Sequence, residues 1–182
     1  MSPYQHISFN ELDPSCLTEF ITGRYHAQVR SLGPILASQL ARVREMDSSM
    51  KQELQAVSGL FQRLVDDLSS HLRKEEFVLF PYIKQRMSES IQSMPLLNSV
   101  LQQMRREHRQ YTDTMSQIRK LTNNYTAPDD ACPQIRLCLA VLNEFESDLV
   151  EHIYLENNIL FPKLLQIEDI HKDQVVSSDP HA

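Results

Sequence analysis

His71 and Glu75 stand four residues apart, as do His152 and Glu156, and each pair is followed at the same offset by Leu-Phe-Pro: Leu79-Phe80-Pro81 and Leu160-Phe161-Pro162. Asp67 and Asp148 lie four residues before the two histidines, so the whole pattern recurs with a period of 81 residues. Two lone histidines recur at a shift of 82: His26 in Arg24-Tyr25-His26 and His108 in Arg106-Glu107-His108. On an α-helix, residues i and i+4 are about 6 Å apart along the axis on nearly one face, so each His-x-x-x-Glu aims two donors the same way. Such groups projecting from facing helices build carboxylate-bridged dinuclear metal sites. One carboxylate from each pair as a bridge, with two imidazoles per metal, leaves positions open to an outside ligand. Donors without thiolate suit iron, manganese or zinc better than copper(I) or an iron-sulfur cluster. Iron is the expected metal, and this argument leaves manganese open. Two Fe(II) ions are only half neutralised by two carboxylates, so an oxide or hydroxide bridge is expected on oxidation.

A single histidine on an apolar helix face is ordinarily a hydrogen-bonded core or surface residue. Here four histidines occupy matched places in two halves, while His6, His171 and His181 lie in the end segments, which favours ligation. Asp67 and Asp148, one turn before the histidines, either reach an imidazole N–H or a metal-bound water or belong to a solvated face. Glu107 neighbours His108 and could line an access path or relay protons, although adjacent helical residues point about 100° apart. Tyr25, Tyr111 and Tyr154 read as packing residues with satisfied hydroxyls.

The elements that must position these groups are helical. The chain has 182 residues, 41% of them hydrophobic, with three glycines and no tryptophan, a helix-favouring composition for one ordinary domain. Asp13-Pro14 opens a first helix from Leu17 through Val43, with a kink expected at Gly33-Pro34. After Asp47-Ser48-Ser49, Leu54, Val57, Leu60, Phe61, Leu64, Leu68 and Leu72 mark a second, ending near Met87. Pro95 precedes a third, from Leu96 to about Leu121, closed by Asn123-Asn124; a fourth runs from Pro133 to Leu165. Short connections predict an all-α, antiparallel up-down four-helix bundle of two repeated hairpins. The predicted organisation is an extension over 1–16, the bundle over 17–165 and a polar tail over 166–182. The net charge of −6, with acids and bases interspersed, argues against nucleic acid. No stretch is apolar enough for a membrane span and no leader is visible, so the cytoplasm is expected. Cys16, Cys132 and Cys138 read as ordinary reduced thiols.

On Arg24-Tyr25-His26, Ser70-His71-Leu72-Arg73-Lys74-Glu75-Glu76, Glu107-His108, Leu121-Thr122-Asn123-Asn124, His152-Ile153-Tyr154-Leu155-Glu156-Asn157-Asn158 and the two Leu-Phe-Pro segments, the chain resembles the hemerythrin-like di-iron family over residues 17–165. It is most similar to the family's iron-sulfur cluster repair proteins of nitrosative and oxidative stress. That resemblance implies two irons per chain on His26, His71, Glu75, His108, His152 and Glu156, with the glutamates bridging. Oxygen-carrying hemerythrins are expected to place a second histidine four residues after the third-helix one, where this chain has Thr112, so a pure oxygen carrier is not implied. Long repair proteins are expected to carry an N-terminal domain with adjacent cysteines; the stretch before the first helix holds the single Cys16, and functions needing that domain are not expected here. The implied ligands and partners are nitric oxide or dioxygen and damaged iron-sulfur proteins, with the chain a monomer or weak homodimer. A gas-sensing or storage module without turnover is the alternative, and a purely structural metal staple a third reading.

Overall fold

The computed structural model describes residues 8–43, 50–88, 94 and 96–177, with side chains described through Asp169. The predicted turn at Asp47-Ser48-Ser49, Pro95, His6, His181 and the side chain of His171 lie outside the described residues. Four long helices pack in sequence order, and the first also meets the fourth, closing a bundle with no strand among the described residues. Helix α1 comprises Pro14–Ile21, a π turn at Thr22–His26 and Ala27–Val43; α2 comprises Lys51–Lys74, a π turn at Glu75–Leu79 and Phe80–Met87. Helix α3 is Leu97–Leu121, and α4 comprises Pro133–Leu155, a π turn at Glu156–Leu160 and Phe161–Ser177. The start of α1 packs on the end of α2, and the end of α1 on the start of α2, so neighbours are antiparallel.

Local chemistry sets the ends. Asp13 accepts from Cys16 N–H at 3.0 Å, with Pro14 at the first helical position where its missing N–H is harmless. After α3 the chain turns through Asn123, Asn124 and Tyr125, all with positive φ (46°, 55° and 59°). Asparagine tolerates that region and tyrosine does not, so Tyr125 needs compensation. Its N–H donates to Thr122 Oγ1 at 3.2 Å and its hydroxyl to Glu146 at 2.8 Å.

The three π turns are absent from the periodicity reading. Two of them end just before Phe80-Pro81 and Phe161-Pro162, where a proline ring would clash with the carbonyl four residues back in a regular helix. Widening the turn by one residue removes that clash and buries Glu75, Leu79 and Phe80 together, at 0%, 0% and 4% exposure. Helical structure continues through Pro34 to Val43, so the site of the expected kink does not end the helix.

The core is divided. One apolar cluster, including Leu40, Leu54, Phe61, Leu139 and Phe145, fills the end near the α3–α4 connection; another, including Leu17, Ile21, Leu79, Ile83, Leu160 and Phe161, fills the opposite end. Between them lies a buried polar layer. The fourth helix continues beyond the expected end at Leu165, and buried Glu168 anchors it by accepting from Tyr82 at 2.5 Å and Arg86 at 2.8 Å. Glu168→Ala removes the acceptor of two buried hydrogen bonds, one of them from a charged guanidinium, and is expected to cost about 2 kcal/mol in chemical denaturation. A change under about 0.5 kcal/mol would mean that this end does not contribute to the folded unit.

Candidate metal centre

The polar layer is His26, His71, Glu75, His108, His152 and Glu156, each no more than 1% exposed. Helix α1 contributes His26 from its π turn, α3 contributes His108, and α2 and α4 each contribute a His-x-x-x-Glu whose glutamate opens a π turn. All six residues singled out by spacing are thus brought to one level of the bundle. Their donor atoms form two groups, each with its atoms within 4.8 Å of one another: His26, Glu75, His152 and Glu156, and His71, Glu75, His108 and Glu156.

The glutamates belong to both groups through different oxygens. Glu75 Oε1 lies 3.0 Å from His71 Nε2, and its Oε2 lies 3.4 Å from His26 Nε2. Glu156 Oε1 lies 3.1 Å from His152 Nε2, and its Oε2 lies 3.1 Å from His108 Nε2. The Nε2 atoms also face each other, at 3.3 Å for His26 and His152 and 3.0 Å for His71 and His108. All four carboxylate oxygens are buried without a hydrogen-bond partner among the described residues. Two stranded carboxylates inside a bundle are strongly unfavourable. A cation in each group would satisfy two imidazole nitrogens and one oxygen from each glutamate, so the residues present fit a dinuclear metal centre.

Contacts one layer out orient the rings. His26 Nδ1 donates to Glu76 Oε1 at 2.7 Å, His71 Nδ1 to Glu107 Oε2 at 2.7 Å and His108 Nδ1 to Asn157 Oδ1 at 3.1 Å. The oxygens can only accept, so the rings carry hydrogen on Nδ1 and turn Nε2 inward. Phe80 stacks on His26, Phe161 on His108 and Tyr25 on His152, with interplanar angles of 20°, 8° and 5°. Tyr111 meets His71 edge-on, whereas Tyr154 is 55% exposed and does not pack as expected.

Glu107 therefore serves His71 across the helix pair rather than its neighbour His108. Asp67 is exposed and Asp148 is bound by Arg24 and Gln28; among the described residues neither aspartate is hydrogen-bonded to an imidazole. Asp67 thus sits on a solvated face, whereas Asp148 lines a small cavity beside His152. Glu76 and Asn157, which sequence reasoning overlooked, were readable from the repeat: they are 81 residues apart and each follows a core glutamate.

Charge in this layer follows proximity. Burial disfavours a proton on His71, yet Glu75, Glu156 and Glu107 overcome it and lift its pKa to about 9. Burial and His152 together push His26 down, while His152 is raised because Glu156 and Glu75 outweigh its own burial. Burial pushes the Glu107 carboxyl up, but Gln103, Lys74 and His71 hold it down at about 2 against a usual 4.5. A depressed carboxylate contributes stability that is present above its unfolded pKa and is lost as pH falls through the folded one. The stability gap between metal-free parent and Glu107→Gln should therefore be level above about pH 5 and shrink toward about pH 2. A gap independent of pH in denaturant titrations would contradict this.

Residues 23–164 match the hemerythrin HHE cation binding domain. The chain is 36% identical over 150 residues to an iron-sulfur cluster repair protein YtfE of Escherichia coli O81 (strain ED1a), covering 82% of this chain and 65% of that protein. Against the iron-sulfur cluster repair protein YtfE of Musicola paradisiaca (strain Ech703) it is 36% identical over 152 residues, with 82% and 64% covered. The chain thus spans about 65% of the length of the first of these curated relatives. No helix among the described residues is long and apolar enough to cross a membrane.

Proposed function

The chain belongs to the hemerythrin HHE cation-binding family, and we propose that it is a non-haem di-iron protein of nitrosative and oxidative stress, which binds nitric oxide or supports the repair of damaged iron-sulfur clusters. The observation that carries the reading is the division of each buried glutamate between two histidines on different helices, which suits two cations sharing two carboxylates. His26, His71, His108 and His152 would hold the metals through Nε2, with Glu75 and Glu156 bridging. Imidazole and carboxylate donors favour iron over softer metals. When bound, iron supplies a redox-active centre with room for a diatomic ligand.

The chain's own residues do the rest. Glu76, Glu107 and Asn157 fix ring orientation, and the apolar clusters at both ends exclude water. Glu107, joined to His71, Lys74 and Gln103, links the buried His71 to the half-exposed Lys74 and is placed to pass protons displaced when metal binds. Named function in the relatives, iron-sulfur cluster repair, supports damaged iron-sulfur proteins as partners. Cys16, Cys132 and Cys138, none of them in a disulfide, suit the reducing cytoplasm, where we place the protein.

Anaerobic stopped-flow with nitric oxide, together with iron loss to a chelator in both redox states, tests this. Rapid reaction with nitric oxide and readier iron loss from the reduced protein are expected. Equal retention of iron in both states would exclude donation to damaged clusters, and fully reversible gas binding without net chemistry would favour a sensing or storage module for nitric oxide or dioxygen.

A further inference from the structure

The two groups of donors are enclosed differently one layer out, and the difference follows the internal repeat. Gly23 and Arg105 each precede the lone histidine of their half by three residues. In the second half, the Arg105 guanidinium lies over the Phe161 ring at 5.9 Å, and its Nη2 donates to the Asn157 carbonyl at 3.3 Å. Phe161 stacks on His108 and Asn157 Oδ1 accepts from His108 Nδ1, so Arg105 closes the bundle over that histidine. In the first half the matched ring is Phe80, stacked on His26, and the residue matched to Asn157 is Glu76, which accepts from His26 Nδ1. Here Gly23 supplies no cover. A groove of about 470 Å³ remains, lined by Thr22, Gly23, Glu76, Phe77 and Phe80 among others. A Cβ added at Gly23 would meet nothing within 4 Å.

The second histidine of the same group is also less constrained. His152 Nδ1 is buried with no hydrogen-bond partner among the described residues, beside a water-sized cavity of about 10 Å³ that Gln28 and Asp148 help to line. In the other group both imidazoles are held, His71 by Glu107 and His108 by Asn157. A ligand ring held through its second nitrogen keeps its orientation and basicity, and losing such a partner weakens metal binding.

We propose that His26 and His152 form the exchangeable position of the centre, from which one Fe(II) passes to an external acceptor by way of the groove above Phe80, while the position of His71 and His108 retains its metal. The proposal rests on the di-iron reading above. No electron moves in the step: the departing Fe(II) would exchange its donors in this chain for donors of the acceptor. Glu75 Oε1 and Glu156 Oε2 stay beside His71 and His108, so the retained position keeps its donors.

The test mixes the reduced, iron-loaded full chain anaerobically with excess bipyridine and follows the ferrous chelate by absorbance. Two phases of one iron each are expected. Gly23→Arg, which gives the first half the cover that the second has, should slow the fast phase roughly tenfold and leave the slow one. Arg105→Ala should bring the slow phase toward the fast. Gly23→Ala raises helix propensity without covering the groove and should change neither. Release of both irons in one phase from the parent, or a fast phase indifferent to Gly23→Arg, overturns the proposal and leaves the di-iron reading standing. A chain that takes up no iron pair overturns that reading and this proposal with it.

Discussion

Replacing Glu75 with alanine is expected to empty both metal positions rather than one, lowering the iron content from about two per chain to well below one. The two oxygens of this carboxylate face different histidines, Oε1 toward His71 and Oε2 toward His26, so one truncation removes a donor from each group. Loss of an orienting partner alone costs about 10- to 100-fold in metal affinity, and loss of a shared ligand should exceed that at both positions. The metal-free variant should still fold, because both apolar clusters remain. Elemental analysis beside circular dichroism checks both halves of this expectation. A folded Glu75→Ala protein that still holds two irons would remove the glutamate from its bridging role.

Stripping the metal from the parent should lower its thermal midpoint by roughly 10 °C without unfolding it at room temperature. Binding to the folded state at about a thousandfold excess over Kd contributes about 4 kcal/mol, and in a chain of this size each kcal/mol is worth about 2 to 4 °C. The bundle survives because an apolar cluster at each end stays packed when the metal leaves. Melting curves followed at the helical ellipticity minimum, with and without chelator, give the comparison. Coincident curves would show that the layer gains nothing from metal; collapse of the stripped chain at room temperature would show that the two clusters cannot stand without it.

Most of the bundle and the six central residues were legible in the sequence because both rest on periodicity. The 3.6-residue repeat of apolar positions marks helices, and the near-exact duplication of His-x-x-x-Glu with Leu-Phe-Pro sets a level at which four helices meet. The π turns were not legible in that way, since the period analysis assumes a constant turn. Their trace is Pro81 and Pro162, which a regular helix would not accommodate without strain. The assignment of outer contacts was harder for a related reason. Counting back one turn led to Asp67 and Asp148, whereas the residues on the rings come from other helices: Glu76 of α2 reaches His26 of α1, Glu107 of α3 reaches His71 of α2, and Asn157 of α4 reaches His108 of α3. A turn-based argument sees one helix, and these contacts cross between two. The end of α4 was missed because Glu168 reads as a surface acid until Tyr82 and Arg86 are placed against it.

The pairing of internal halves also locates where the repeat was allowed to diverge. The two glutamates shared between the donor groups and the rings on the lone histidines are duplicated, while Glu76 against Asn157 and Gly23 against Arg105 are not. Identity is kept among the six residues of the polar layer, and the residues beside it, Glu76 against Asn157 and Gly23 against Arg105, are among those that differ. A symmetric carrier would have no use for that difference, whereas a centre that gives up one metal and keeps the other would.

The most direct test of the central claim is Mössbauer spectroscopy of the chain produced with iron-57, as isolated and after anaerobic reduction, alongside metal analysis. About two irons per chain, magnetically coupled when oxidised and responsive to nitric oxide when reduced, are expected. A single uncoupled iron, or a centre filled with zinc and inert to nitric oxide, would contradict the account at its base.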